Sequence, residues 1–372
     1  MTTGGSALPA MDHAGRRDRL RALLVEAGCD HLLVTRPVDV RYLTGFTGSN
    51  GSLLVGREAG EDVLVTDARY RERLAGLDVA RTEVARPVAA VVADLGTAAV
   101  GVDADHVTLA QAERLERARG DVPLLRTVGL VALLRTTKDA GEVARLRRAC
   151  KITTDVLRDL AEDGLMPGTS EQGLARAIER AFVDRGADGV AFPTIVAAGT
   201  NGASPHHEPA SHRLAVGELV TIDCGAEVDG YRADMTRTLA VGGWDAVPPR
   251  LREVHGVVVA ANAAGRAAAR VDGPVAEVDR AARRTVADAG YADAFVHPTG
   301  HGIGLDVHES PLVTDPSAGS LPPGTTFTVE PGIYLPGVGG VRIEDSLVVL
   351  EDTVDVMTDL ERGPTTTRSD GA

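Results

Sequence analysis

The chain has 372 residues, 44% hydrophobic and 25% charged, a composition ordinary for a soluble globular protein and a length that suits about two domains of roughly 100–200 residues each. Its 39 basic and 53 acidic residues give a net charge of −14, which argues against nucleic-acid binding through bulk positive charge and leaves solubility as the main meaning of the acidity. Three widely spaced cysteines (Cys29, Cys150, Cys224) without CxxC or CxxH spacing predict neither a disulfide framework nor a thiolate zinc site, and they fit a reducing, cytoplasmic setting.

In chain order, residues 1–14 read as a flexible tail without the long apolar core of a secretion signal. No apolar run of about 18 residues predicts a membrane-spanning helix. Leucines and alanines at helical spacing predict a helix from about Arg16 to Ala27, stopped at Gly28. HLLVT follows as a short strand, and DVRYLTGFTGSNGSLLVG mixes strand residues with Gly and Ser turn residues. EDVLVTDARY predicts another strand, running into a helix-like RYRERLAGL. PVAAVVADL and TAAVGVDADHVTLAQAERLERAR repeat the alternation of helix and strand, so residues 15–134 are expected to form an α/β domain with a mixed sheet.

A boundary near RTTKD opens residues 135–372 with a long helix. Thr137 and Asp139 are both candidates to cap it, and Glu142 sits in the first turn, where the helix end favours a negative charge. MPGTSEQ is a break, and LARAIERAFVDRGADG is a second helix ending near Gly186. Two more helical runs, LREVHGVVVAANAAGRAAAR and VAEVDRAARRTVADAG, separate two acid-bearing strand pairs, an α+β pattern. Each part of this half joins a helical stretch to a hairpin with two acids, as an ancient duplication around one site would leave it, although pairwise identity is weak. The closing ERGPTTTRSDGA reads as a polar tail.

In VTIDCGAEVDGYRADMTRTLAV the Asp229-Gly230 pair signals a two-residue turn. Residues sharing a face of such a hairpin have odd sequence separation. Asp223 and Asp234, eleven apart, are therefore expected on one face, nearly opposite each other. Two buried anions facing each other need a cation or a proton, and the apolar context disfavours a merely solvated pair. In FTVEPGIYLPGVGGVRIEDSLVV, Glu330 and Glu344 are fourteen apart, so a shared face needs an odd loop or a bulge, which the glycine-rich LPGVGG can supply. Arg342 shares the face of Glu344; Asp345 points the other way and is read as structural. Between the hairpins, glycines flank His301 in GHGIG, small neighbours that permit close approach. Five of the ten histidines fall in two short motifs, at 206, 207, 297, 301 and 308.

Four carboxylates and one imidazole suit manganese, cobalt or iron, with zinc admissible. They are too few to saturate two separate octahedra, so carboxylates must bridge and water must fill the rest. Two cations about 3.5–4 Å apart would hold a hydroxide at neutral pH and stabilise the oxyanion formed on attack, which predicts hydrolysis of an acyl bond. A single-metal or calcium-only structural site is the plainer alternative.

At these residues the sequence resembles the pita-bread metallopeptidases, a family that includes aminopeptidase P, prolidase and methionine aminopeptidase. The resemblance spans nearly the whole chain and implies a creatinase/aminopeptidase-like catalytic domain. By similarity Asp223 would bind one of two divalent ions, manganese first among them, and His301 and Glu330 the other. Asp234 and Glu344 would bridge, with Glu330 also handling the proton of the shared water. FPTIVAAGTNGASPHHEP and HPTGHGIGLDVHESP resemble the segments that give the family its substrate histidines, here His206, His297 and His308. His308 would hydrogen-bond the scissile carbonyl or the tetrahedral intermediate, and His206 would bind near the residue after the cut. Tyr334 and Arg342 resemble positions near the substrate; His207 has no family role and is read as structural. DVRYLTGFTGSNGSLLV and VTDARY resemble the N-terminal domain of the aminopeptidase P and prolidase branch, absent from methionine aminopeptidases. That branch implies cleavage before proline in small peptides and a homodimer or homotetramer. The rivals are a metal-independent creatinase-type enzyme and a non-catalytic binding protein of the same fold, both of which lose ligands that this chain keeps.

Overall fold

The computed structural model describes residues 8–120 and 122–363. They form two compact units, one spanning Ala10–Arg135 and the other joining Leu8 and Pro9 to the residues from Thr136 onward.

The first unit opens with α1 (His13–Glu26), capped by Asp12, whose carboxylate accepts from the Gly15 N–H. Two residues of the expected tail thus belong to a helix; the first seven lie outside the described residues. After β1 (His31–Val34), the segment expected to be extended is instead α2 (Pro37–Thr44). Pro37 stands at the first helical position, where its missing N–H costs nothing, and Gly45 ends the helix at φ 77°. Then come β2 (Gly51–Gly56) and β3 (Val63–Thr66). The helix-like run beyond them, Ala68–Leu74, is a 3₁₀ helix capped by Asp67. The unit continues through β4 (Arg81–Val84), α3 (Val88–Ala93), β5 (Val100–Asp103), α4 (Leu109–Ala118), β6 (Leu125–Thr127) and α5 (Leu130–Arg135).

The sheet order is β4-β3-β2-β1-β5-β6. The β1–β2 and β2–β3 pairs are antiparallel and the others parallel, the mixed sheet that the alternation predicted. The sequence did not announce the edge strands β4 and β6, because both are short, largely exposed and without apolar alternation. Leu33, Leu54, Val92, Val102 and Leu115 form the core.

The second unit begins with α6 (Ala140–Asp163). Asp139 is its cap, in a reciprocal box with Glu142. Then follow α7 (Glu171–Asp184), β7 (Gly189–Val190), β8 (Ile195–Ala198), β9 (Leu219–Cys224), β10 (Ala226–Val228), β11 (Tyr231–Arg232) and β12 (Met235–Ala240). Next are α8 (Pro249–Ala268), α9 (Val275–Asp288), β13 (Gly300–Gly302), β14 (Glu309–Val313) and β15 (Thr326–Val329). The unit closes with β16 (Gly332–Leu335), β17 (Gly339–Arg342), β18 (Asp345–Val349) and β19 (Val354–Val356). Two helices precede each acid-bearing hairpin. The main sheets are β12-β9-β8 and β14-β13-β15-β18-β19. Val254 and Val258 of α8 pack on Leu219, Ile333 and Val341, and Val278 of α9 packs on Phe327, Val329 and Leu347. Each such side chain contributes roughly 1.5–3 kcal/mol by leaving water. The helices thereby fix the strands that carry the acids. No helix among the described residues is long and apolar enough to cross a membrane.

His255 of α8 is 1% exposed and meets Trp244 edge-on at 4.8 Å. Burial pushes its pKa down from 6.5 to about 4, and a hydrogen bond with the Thr238 backbone offsets this only in part. A histidine whose folded pKa is depressed contributes its full stability above the unfolded value. That contribution is lost as pH falls from 6.5 towards 4, at about 1.4 kcal/mol per unit, or about 3 kcal/mol in all. His255→Gln is therefore expected to flatten the pH dependence of the melting temperature between pH 7 and 4; an unchanged slope would show that His255 does not titrate on unfolding.

Candidate metal centre

β9 and β12 pair Asp223 with Thr236, and β10 and β11 continue the same register around Asp229-Gly230 by pairing Glu227 with Arg232. The turn has two residues, so Asp223 and Asp234 share a face. They stand diagonally rather than opposite, since the partner of Asp223 is the residue two beyond Asp234. Parity fixes the face of a strand residue but not its place along the strand.

In the second hairpin β15 and β18 pair Val329 with Asp345, and β16 and β17 pair Gly332 with Arg342 and Leu335 with Gly339. One register runs through both ladders (329 + 345 = 332 + 342), leaving the odd loop Pro336–Gly337–Val338. Glu330 and Glu344 (330 + 344, the same sum) stand opposite each other. There the strands part. The Glu330 N–H donates to Thr299 O at 2.7 Å and the Glu344 N–H to Thr236 O at 3.1 Å. The second hairpin is thus tied to the His301 segment on one side and to the first hairpin on the other.

His301 lies on β13, between β14 and β15. A Cβ on Gly300 would collide with the Thr328 carbonyl and one on Gly302 with the Ser310 carbonyl. The GHG triplet therefore lets three backbones close around the imidazole.

These segments bring Asp223, Asp234, His301, Glu330 and Glu344 to one cavity of about 780 Å³. His301 Nε2 is 3.2 Å from Glu330 Oε1 and 3.7 Å from Asp234 Oδ2. Asp234, His301 and Glu344 each offer a ligand atom within 4.8 Å of the others. One oxygen of Asp223 accepts from Arg342 Nη2 at 2.7 Å, and one of Glu344 from Thr236 Oγ1 at 2.7 Å. Their other oxygens, Asp223 Oδ1 and Glu344 Oε1, are buried without any donor. Buried acceptors of this kind are costly until a cation takes them, so the residues present fit a metal site. Burial and the surrounding negative charge raise the Asp234 and Glu344 carboxyls well above their ordinary values. Burial also opposes ionisation of Glu330, yet the hydrogen bond and charge of His301 win and hold it at about 2. The donors are oxygens and one imidazole. Cys224 alternates to the opposite face from Asp223 and is fully buried.

Around this centre His308 sets its ring edge-on to His301 at 4.3 Å, and burial together with His301 lowers its pKa, so it is neutral near pH 7. Among the described residues neither His206 nor His308, both lining the cavity, has a side-chain hydrogen bond. Of the two other expected substrate contacts, His297 also lines the cavity. Both ring nitrogens of His297 are engaged, Nδ1 with Pro298 O and Nε2 with Tyr334 Oη, each at 2.8 Å. Tyr334 does not line the cavity; its hydroxyl also accepts from Arg342 Nη1 at 2.9 Å, and burial raises its phenol to about 12. Together they brace Arg342, which holds Asp223.

His207 also lines the cavity, but its Nε2 meets Glu171 Oε2 at 2.8 Å, in keeping with a structural part. Glu171 is fully buried and also accepts from the N–H groups of Ala198 and Ala210 and from Asn201, anchoring the loop that carries His206. Asp345, fully buried, pairs with Arg237 at 2.9 Å and Arg362 at 2.6 Å.

The sequence reading missed Thr236 and Thr328. Thr328 Oγ1 accepts from the His301 N–H at 3.1 Å and donates to Glu330 at 3.2 Å. Period-two spacing from Asp234 and Glu330 was the signal that places both threonines on the ligand face. A second trio, Asp39, Asp103 and His106, lies in the first unit, but Asp39 is already held by Arg135 at 2.7 Å.

The sequence profile of metallopeptidase family M24 matches residues 144–351, and that of the creatinase/prolidase N-terminal domain matches residues 16–137. The uncharacterized peptidase YqhT of Bacillus subtilis is 36% identical over 341 residues, covering 90% of this chain and 95% of its own. Among solved structures, the Xaa-Pro dipeptidase from Bacillus anthracis superposes with a TM-score of 0.89 at 32% identity, covering 95% of this chain and 99% of that one. The X-Pro aminopeptidase from Thermotoga maritima gives 0.84 at 31% identity, over 93% and 99%.

A carboxyl whose folded pKa is raised contributes its stability below the unfolded value, near 4, and loses it as pH rises through the folded value. At pH 7.5 with chelator, Glu344→Gln is therefore expected to melt above the wild type. With manganese at 100 times its Kd the wild type gains about 2.7 kcal/mol, and the variant gains less. Thermal melts with and without EDTA measure both; a chelated variant that melts lower would mean that Glu344 is not under repulsion.

Proposed function

The chain belongs to metallopeptidase family M24 and carries the creatinase/prolidase N-terminal domain, and on that premise we propose that it is a metal-dependent Xaa-Pro peptidase with a dinuclear centre. The observation that carries the reading is the pair of donorless carboxylate oxygens, Asp223 Oδ1 and Glu344 Oε1, buried where five ligand side chains meet one cavity. Divalent cations held there would supply Lewis acidity, for activating a water at neutral pH and for polarising the scissile carbonyl.

The protein's own groups do the rest. Asp223, Asp234, His301, Glu330 and Glu344 would hold the cations, Asp223 on one side, His301 and Glu330 on the other, and Asp234 and Glu344 shared between them. Glu330, ionised well below neutral pH, accepts the proton of the attacking water and returns it to the leaving nitrogen. His308, neutral and without a side-chain hydrogen bond among the described residues, hydrogen-bonds the scissile oxygen as charge grows on it. His206 meets the residue after the cut. Arg342 keeps Asp223 in place, braced by Tyr334 and His297.

Manganese is the first candidate, with cobalt, zinc and iron next. The relatives include a dipeptidase and an aminopeptidase, and both activities stay within the proposal, with small proline-containing peptides as substrates. A homodimer or homotetramer in the cytoplasm completes it. The metal-independent creatinase-type reading finds no support in an intact ligand set.

The metal-stripped protein should regain hydrolysis of Gly-Pro or of a longer Xaa-Pro-Xaa peptide with manganese, cobalt or zinc; full activity under exhaustive chelation would overturn the proposal. His308→Ala should keep its metal content and lose about 10²–10³ in kcat, the scale of one oxyanion donor. Kinetics like the wild type would remove His308 from the mechanism.

A further inference from the structure

Arg232 also lines the wall of the cavity, yet it plays no part in holding the five ligands. It stands on β11 two residues before Asp234. Side chains at that spacing leave a strand on one face, about 6–7 Å apart. Its backbone N–H donates to Gly304 O at 2.9 Å, tying it to the segment that leads to His308. The guanidinium is held at two points. Nη2 lies 3.2 Å from Glu227 Oε2, its cross-strand neighbour, and Nη1 donates to the Ala191 carbonyl. Nε is buried with no partner, while the side chain as a whole is 34% exposed.

An arginine has five N–H donors, so two anchoring contacts leave three unspent on a group that can no longer swing. The other cations near the cavity are committed. Arg342 serves Asp223, Tyr334, Thr236 and the Pro205 carbonyl, and Lys138 is closed against Glu309 at 3.2 Å. Arg232 is thus the positive group of this wall with donors to spare, one step along the strand face from a metal ligand.

We propose that Arg232 is a substrate subsite for a carboxylate, which makes it the residue that selects peptides by where they carry negative charge. The inference rests on the Xaa-Pro reading and deepens it. In an Xaa-Pro dipeptide the terminal carboxyl carbon lies three bonds, about 3 Å, beyond the scissile carbonyl carbon. With the carboxylate C–O bond of about 1.2 Å and a charge-assisted hydrogen bond of about 2.8 Å added, that span reaches the neighbouring side chain on the strand face. A dipeptide carboxylate held there would favour dipeptides over longer peptides, whose chain continues as an amide at that point. An acidic side chain before proline offers the same chemistry from another source.

The experiment compares the metal-loaded wild type with Arg232→Gln on Ala-Pro, Ala-Pro amide and Glu-Pro amide. For a terminal-carboxylate subsite, kcat/KM on Ala-Pro falls about 10–100-fold in the variant, mostly through KM, the scale of a lost charge-assisted hydrogen bond. The fall on Ala-Pro amide is then at least ten times smaller. A selective fall on Glu-Pro amide instead assigns the same subsite to an acidic side chain. Arg232→Lys, which keeps the charge and loses the fork, retains part of the discrimination and serves if the glutamine variant does not fold. Equal losses on all three substrates, or none, would reduce Arg232 to a strand tie with Glu227 and overturn the inference. A wild type that cleaves none of the three would instead bring down the Xaa-Pro reading, and this subsite with it.

Discussion

The organising constraint is the confinement of negative charge. Four candidate ligand carboxylates meet a single candidate ligand imidazole in one cavity, and a carboxylate taken out of water is tolerable only when paired or metal-bound. Unequal ionisation shows the strain. His301 keeps Glu330 charged, whereas Asp234 and Glu344 are driven towards their protonated forms. Repulsion that destabilises the metal-free fold is the same force that makes the cavity attract cations. The protein therefore stores affinity in a form it can hold only because the surrounding ladders are rigid.

Rigidity comes from where the backbone hydrogen bonds go. At Glu330 and Glu344 the two strands release each other and bond to Thr299 and Thr236, so three separate segments are locked at the level of the ligands. Thr236 and Thr328 then orient the carboxylates they touch, and Arg342 does the same for Asp223. Behind them, α8 and α9 press apolar side chains onto the same strands. Such outer partners fix ligand orientation in metal sites generally.

Much of this was legible in the sequence because it follows from local periodicity. The parity of eleven and of fourteen residues placed each acid on its face and called for an odd loop, and Thr137 and Asp139, with Glu142 beyond them, announced the start of α6, of which Asp139 proved the cap. Long-range partners were less legible. Parity could not tell a diagonal from an opposed pair for Asp223 and Asp234. Nothing near Tyr334 or His297 in sequence shows that each would engage the other and so brace Arg342. The helix at Pro37–Thr44 was missed for a different reason: its residues favour strands, and the proline and glycine at its ends outweigh them.

The three-residue tip at Pro336–Val338 carries a consequence for descent. Because Glu330 and Glu344 face each other across a continuous register, inserting or deleting one tip residue would rotate Arg342 and Glu344 out of the centre and bring Asp345 round, unless a bulge absorbed the change. Lineages of this protein should therefore lengthen or shorten that tip two residues at a time, whatever latitude its exposed position allows in the identity of the residues themselves.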